Sequence, residues 1–463
     1  LVLGSGRKAG VVVSAFLILF FSYGHVFTLM QRVVEGQLGG NLGHEYLLLV
    51  WAILFMLYAC VAITSAHPEK WTSILNIIAI SVIATSVIRV GRYELRAKRI
   101  NRSSKAGAAE YAEVNPSEEG KEDRPDIYYI VLDQYGSLST LQKHFDFDNS
   151  QFTDYLTSKG FYIASEARAN YPRTFQSLAS SLNMKHLTYL TDELGKDSSD
   201  QTVVYEMLQD YEIMQFLRSM GYTSMHFGSW WEPTRCNNYA DVNFSMYPQE
   251  FSWMLYRTTI LDPIGVKLDI LDPRRMQQQL ILRKFDELAE VPHAQGPKLV
   301  FAHILLPHEP FLFGPQGEML TQEQVEARTD TENYLNQLAF ANGKVKWLID
   351  QILSESDRPP IIVLQADEGP LAGLHEFGEG IPWGELSNET LSAHMRIFSA
   401  YYLPDTDYET VLYPPVTPVN SFRIIFDHYF GTNYGLLEDK SFVFGDPGRP
   451  YSFIDVTDRV EYP

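Results

Sequence analysis

Three charge-free apolar runs within the first ninety residues constrain this chain more than any other feature of its sequence. They are Ala9 to Gln31, Tyr46 to Ala66 and Trp71 to Ile88. Each reaches the roughly 18 to 20 residues that a helix needs to cross a bilayer. A cleavable signal peptide carries a shorter apolar stretch. A soluble protein would have to bury all three as core helices. Residues 1–90 are therefore expected to form a three-helix transmembrane region, and the protein to be multi-pass with the lipid bilayer as a partner. Two charge signals disagree on orientation. Arg7 and Lys8 place the start of the first helix inside, so three crossings put the C-terminal part outside. The six basic residues between Arg89 and Arg102 argue the opposite by the positive-inside rule. The chain opens on Leu1 rather than Met and is expected to lack its natural start. Any helices upstream must be even in number for the N-terminus to lie inside.

Residues 91–124 read as a linker, basic at first and then small and polar, with almost no core-forming side chains. From residue 125 to 463 strand-like and helix-like segments alternate. Strands are predicted at Ile127–Leu132, Tyr222–Phe227, Lys298–Ile304, Ile361–Gln365 and Phe398–Leu403. Helices are predicted at Phe152–Ser158, Thr174–Asn183, Glu212–Met220, Arg274–Glu290 and Thr331–Ser354. Near-continuous apolar strands alternating with helices imply an α/β domain, a mostly parallel sheet covered on both faces. The net charge of -20 is uneven: residues 1–120 sum to +3 and the remainder to -23. A domain so acidic repels nucleic acid, and none is expected as a partner. Cys60 and Cys236 show no metal-binding spacing and fall in different regions, so no disulfide is expected.

Parallel sheets bind ligands beyond the carboxyl ends of their strands. There the sequence delivers acids and histidines: Asp133 after the first strand, His226 in the second, His303 and then His308 at the third, Asp367 and Glu368 after the fourth. Such a set suits a divalent cation. A cation beside a hydroxyl can generate a nucleophile. Thr174 is the candidate, placed as an N-cap by Pro172 and the apolar helix that follows. A helix N-terminus also favours a phosphate or sulfate, and Arg173 beside it can pair with an anion. Trp230 and Trp231 are read as core packing ahead of a sugar-stacking platform. His375 and His394 are weaker candidates for a second metal site.

Four segments carry a resemblance. IYYIVLDQYG, ANYPRTFQSLASSLN, LVFAHILLPHEPF and IIVLQADEGP look like the metal-binding and nucleophile segments of the alkaline phosphatase superfamily. The likeness is to its sulfatase and lipoteichoic acid synthase branch, in the same order. As a whole the chain resembles bacterial integral-membrane sulfatase-like proteins. The resemblance implies that Asp133, Thr174, Asp367 and Glu368 hold one metal and that Thr174 is the nucleophile. His308, His226 and Arg173 would contact the substrate. It also implies a cell-membrane location with an extracytoplasmic domain. Two departures stand out. Glu368 takes the place of the family's His, which shifts preference toward Mn or Mg over Zn. Gln134 takes the place of a Gly. No Cys-x-Pro-x-Arg arrangement is present, so formylglycine chemistry is not expected. The function that follows is a metal-dependent hydrolase or transferase acting on phosphate or sulfate esters of an envelope lipid or glycan. A catalytically silent relative that binds surface polymers is the alternative.

Overall fold

A computed structural model describes residues 5–38, 43–64, seven positions between 72 and 84, 124–244, 250–268, 272–376, 381–446 and 448–462. The first apolar run lies in α1 (Gly6–Leu38) and the second in α2 (His44–Thr64). Both are long and apolar enough to span a membrane. Most of the third run and of the linker falls outside the described residues.

The chain forms two compact units, Leu1–Tyr111 with Pro248–Met276, and Ala112–Tyr247 with Gln277–Pro463. In the first, α1 and α2 pack through Tyr23, Leu47 and Trp51. The short helices α4 (Glu250–Thr258) and α5 (Leu261–Lys267) belong to this unit, although they lie within the sequence of the acidic domain.

The second unit is built on a seven-stranded sheet among the described residues. Its strands are β1 (Ile127–Leu132), β2 (Tyr162–Ile163), β3 (Thr223–Phe227), β4 (Val242–Asn243), β5 (Lys298–Ile304), β6 (Ile361–Gln365) and β7 (Ser399–Tyr402). Their order is β2-β7-β6-β1-β5-β3-β4. Five neighbours, β6-β1-β5-β3-β4, run parallel, with β1 paired to β5 and to β6 over its length. The strand expected at Phe398–Leu403 is β7, but it pairs antiparallel to β6. Apolar content alone could not give its direction. Every residue of β1 and β5 is buried, as their continuous apolar runs require. The major helices are α3 (Thr174–Leu182), α6 (Pro273–Ala289), α7 (Asp330–Glu355), α8 (Asn388–Met395) and α9 (Pro418–Phe430). Helix α7 starts with a capping box between Thr329 and Glu332.

The sheet also carries a buried polar network. Gln365 Nε2 donates to Ser399 Oγ, Tyr401 Oη and Ser421 Oγ, each at 3.0 Å, while its Oε1 accepts from Tyr129 Oη at 3.1 Å. A buried amide is tolerated here because its groups are partnered. The network joins β1, β6, β7 and α9 just behind the carboxyl edge.

Candidate metal and nucleophile site

Because β1, β5 and β6 run parallel, their carboxyl ends open on one edge. Asp133 follows β1 directly, and Asp367 and Glu368 lie just beyond β6. All three are buried, at 1%, 1% and 2% exposure. Burial on this scale calls for a partner, yet Asp133 Oδ1, Asp367 Oδ2 and Glu368 Oε2 have none among the described residues. His303 Nε2 is likewise without a hydrogen-bond partner. Ligand atoms of Asp133, His303 and Asp367 all lie within 4.8 Å of one another. Orphaned oxygens and an imidazole nitrogen in one volume fit a divalent cation.

The sequence places His303 at the end of β5 but assigns it no role. Its ring is held by Thr234 Oγ1, 2.8 Å from Nδ1, and its Nε2 lies 3.3 Å from Asp133 Oδ2. Thr234 comes from the loop after β3, so the contact depends on a distant segment. Glu368, expected as the fourth ligand, is not in the close group. One of its oxygens accepts from Gln134 Nε2 at 3.2 Å. Gln134 adopts a left-handed backbone, with φ 62°. A glycine meets no side-chain penalty there, which accounts for the family's residue at this position. The preference for Mn or Mg rested on Glu368 as a ligand. The observed group has an imidazole instead, and no particular ion follows from it.

Thr174 is the first residue of α3, and Arg173 occupies the N-cap with an extended backbone. The expected capping role therefore falls one residue earlier. The Thr174 hydroxyl lies close enough to the Asp367 side chain to favour its charged form. Ser177 Oγ donates to the Asp367 carbonyl at 2.6 Å, fixing α3 against β6. Gly369 closes the same junction. A Cβ there would overlap the His394 carbonyl, to which the Gly369 amide donates at 2.8 Å.

Electrostatics follow from burial. Desolvation, then the charges of Asp133 and Glu368, push the Asp367 carboxyl well above its usual range. Glu368 is raised to about 7, by burial first and Asp133 second, against the pull of Arg173, His308 and Gln134. For His308 burial opposes the charged ring, but Asp133, the Glu309 carbonyl hydrogen bond and Glu368 outweigh it and raise its pKa. His308 Nδ1 faces the Glu309 carbonyl.

A cleft of about 210 Å³ opens onto this edge, lined among others by Asp133, Arg173, Thr174, His308 and Glu368. Trp230 and Trp231 also line it and are half-buried, so the core-packing expectation does not hold. The Arg173 guanidinium stacks over the Trp383 ring at 5.3 Å. His226 does not reach the cleft. Its ring is buried, stacks on Phe301 and hydrogen-bonds to the Thr234 carbonyl at 2.7 Å. Strand alternation turns it away from the edge that the sequence suggested. His394 is buried as well, between the carbonyls of Pro370 and Pro172, and His375 is exposed on a surface turn. Neither is part of the group around Asp133.

The sulfatase family model matches residues 125–402. The chain belongs to the sulfatase family. The match covers more than half of the chain and includes every residue of the site. No curated protein matches it. Among solved structures it is similar to the C-terminal periplasmic domain of EcEptC from Escherichia coli. That likeness has 14% identity and TM-score 0.46 and covers 72% of this chain and 93% of that one. It is also similar to the integral membrane lipooligosaccharide phosphoethanolamine transferase A from Neisseria meningitidis. There the identity is 12% and the TM-score 0.43, over 90% of this chain and 82% of that one.

Proposed function

We propose that this sulfatase-family protein is a membrane-anchored, metal-dependent hydrolase or transferase of phosphate esters, with Thr174 as nucleophile. One observation carries the reading. The Thr174 hydroxyl lies in the cleft close to Asp367, beside the buried, unsatisfied atoms of Asp133 and His303. Asp133, His303 and Asp367 would hold the cation, with Glu368 at its margin. When bound, the cation lowers the pKa of the nucleophile and offsets charge on the ester oxygens.

The chain's own groups supply the remaining steps. Thr174 Oγ attacks phosphorus, and its proton passes to the neighbouring Asp367 carboxylate. The bond from phosphorus to the ester oxygen breaks. His308, whose pKa is raised by Asp133, the Glu309 carbonyl and Glu368 against the effect of burial, protonates the departing oxygen. Water or an acceptor alcohol then gives its proton to the now neutral His308 and attacks the phospho-threonine; the bond from phosphorus to Thr174 Oγ breaks, and Asp367 returns the proton to Thr174. Arg173 and the N-terminus of α3 favour the anionic substrate. Two tryptophans on the cleft wall suit a lipid or sugar portion. The two helices of spanning length keep the site near lipid-borne esters. An extracytoplasmic orientation belongs to the same proposal.

The test compares wild type with Thr174→Ala on an aryl phosphodiester and an aryl sulfate, with a divalent cation supplied. Wild-type turnover should fall about 10³-fold or more in Thr174→Ala, as for loss of a nucleophile. The ratio of the two substrates assigns the ester class. Glu368 favours a second reading, the silent relative, because it stands where the family has His and is engaged by Gln134. No turnover and no metal uptake by wild type, with gain of both in Glu368→His, would establish that reading instead.

A further inference from the structure

We propose that α4 and α5 form a hairpin that inserts into the bilayer interface, on the side where α1 ends and α2 begins. The two helices lie between β4 and α6 in sequence, yet they pack on α1. The Ile260 amide donates to the Phe20 carbonyl at 3.2 Å. At Gly24 a Cβ would overlap the Arg257 carbonyl, so only a glycine admits so close an approach.

The pairing of α1 with α2 sets the depth of that contact. His44, at the start of α2, stacks on Phe27 with ring centroids 3.8 Å apart. Phe55 meets Phe16 at 5.9 Å, and Lys8 Nζ bonds to the Ile63 carbonyl near the end of α2. Helix α2 has 21 residues, about 32 Å at 1.5 Å per residue, close to the ~30 Å hydrocarbon thickness. The bilayer therefore covers α1 from the region of Lys8 to that of Phe27. Phe20 and Gly24 lie three to seven residues inside its edge, roughly 5–10 Å. That is the depth at which interfacial helices bury their apolar faces.

The hairpin surface has the matching chemistry. Phe251, Met254 and Leu255 of α4 are exposed, as are Leu261 and Ile264 of α5 and Leu268 after it. They follow helical spacing and make a stripe. Helices α1 and α2 also expose large apolar side chains, among them Phe16, Leu29, Leu49 and Leu57. Asp262 lies within electrostatic reach of Arg257 and His44. The occupant with this profile is lipid.

The test uses the full chain in vesicles of phosphatidylcholine and phosphatidylglycerol, with Cys60 and Cys236 replaced by Ser. Phe251→Cys, Met254→Cys and Ile264→Cys carry a polarity-sensitive fluorophore, and Leu436→Cys, exposed on the catalytic domain, serves as reference. Acyl-chain-brominated lipid should quench the three hairpin probes about twofold or more and spare Leu436→Cys, as interfacial burial requires. Aqueous iodide should show the reverse preference. Hairpin probes quenched by iodide like the reference would overturn the proposal. Protection that disappears on dilution into excess lipid would identify a second copy as occupant and would also overturn it. None of these readouts depends on turnover, so their failure is separate from failure of the enzymatic reading.

Discussion

Replacing Glu368 by Gln isolates the electrostatic strain of the site. In the metal-free protein the Glu368 carboxyl is raised from 4.5 to about 7 by burial and by Asp133. The folded state therefore binds a proton that the unfolded chain releases between pH 4.5 and 7. Stability from this group is fully present below pH 4.5 and is lost as pH rises through about 7. A shift of that size corresponds to about 3 kcal/mol at pH 8, at 1.36 kcal/mol per unit. Asp367 is shifted in the same direction and steepens the fall. Glu368→Gln keeps an oxygen for the Gln134 amide and cannot ionise. In EDTA the variant should be more stable than wild type at pH 8 by about 3 kcal/mol, and nearly equal to it at pH 4.5. The assay is urea-dependent pulse proteolysis of the detergent-solubilised full chain, reading the midpoint for loss of the sulfatase-family domain. A saturating divalent cation should reverse the wild-type pH trend, because the cation binds the deprotonated ligands. Equal pH dependence of wild type and Glu368→Gln in EDTA would refute the claim that Glu368 is a strained, buried carboxyl.

Other substitutions test other parts of the structure. Gly369→Ala should destabilise the domain by about 3 kcal/mol or more through overlap with the His394 carbonyl, measured by the same proteolysis midpoint. Gln365→Leu leaves Tyr129, Ser399, Tyr401 and Ser421 without their shared amide, and should cost about 2–4 kcal/mol. His226→Phe keeps the stack on Phe301 but strips the Thr234 carbonyl of its donor. It should leave turnover within about twofold while costing about 1–2 kcal/mol, and a large loss of kcat would return His226 to the site. His303→Ala should lower metal affinity about 10-fold or more in isothermal titration, in line with loss of one ligand nitrogen, whereas Glu368→Gln should change it less.

How much of this was legible beforehand depended on how local the cause was. The strands β1, β5 and β6 announce themselves because a strand buried on both faces needs an unbroken apolar run, and nothing distant alters that. Thr174, Asp133 and Asp367 were legible for a related reason: each directly follows a strand or begins a helix, so its position relative to the sheet edge is set by its neighbours. His303 was seen but left without a role. A residue near a strand end gains one only when register puts it beside another strand's acid, here with Val131 opposite His303 and Asp133 two residues on. His226 failed the other way, because a single residue in a strand does not declare which face it takes. Trp230 and Trp231 follow β3 as an apolar pair, and apolar pairs read as core until a cleft is found beside them.

Helix length, strand burial and strand polarity are local properties, so two helices long and apolar enough to span a membrane and an α/β domain with acids at one sheet edge can be read from the residues alone. The rest came from packing in three dimensions. It brought His303 to Asp133 and drew Glu368 toward Gln134. It also carried residues 250–267 from the middle of the sulfatase-family region onto α1. Each of these depends on contacts between segments tens to hundreds of residues apart, where packing and desolvation, not local pattern, choose the partner.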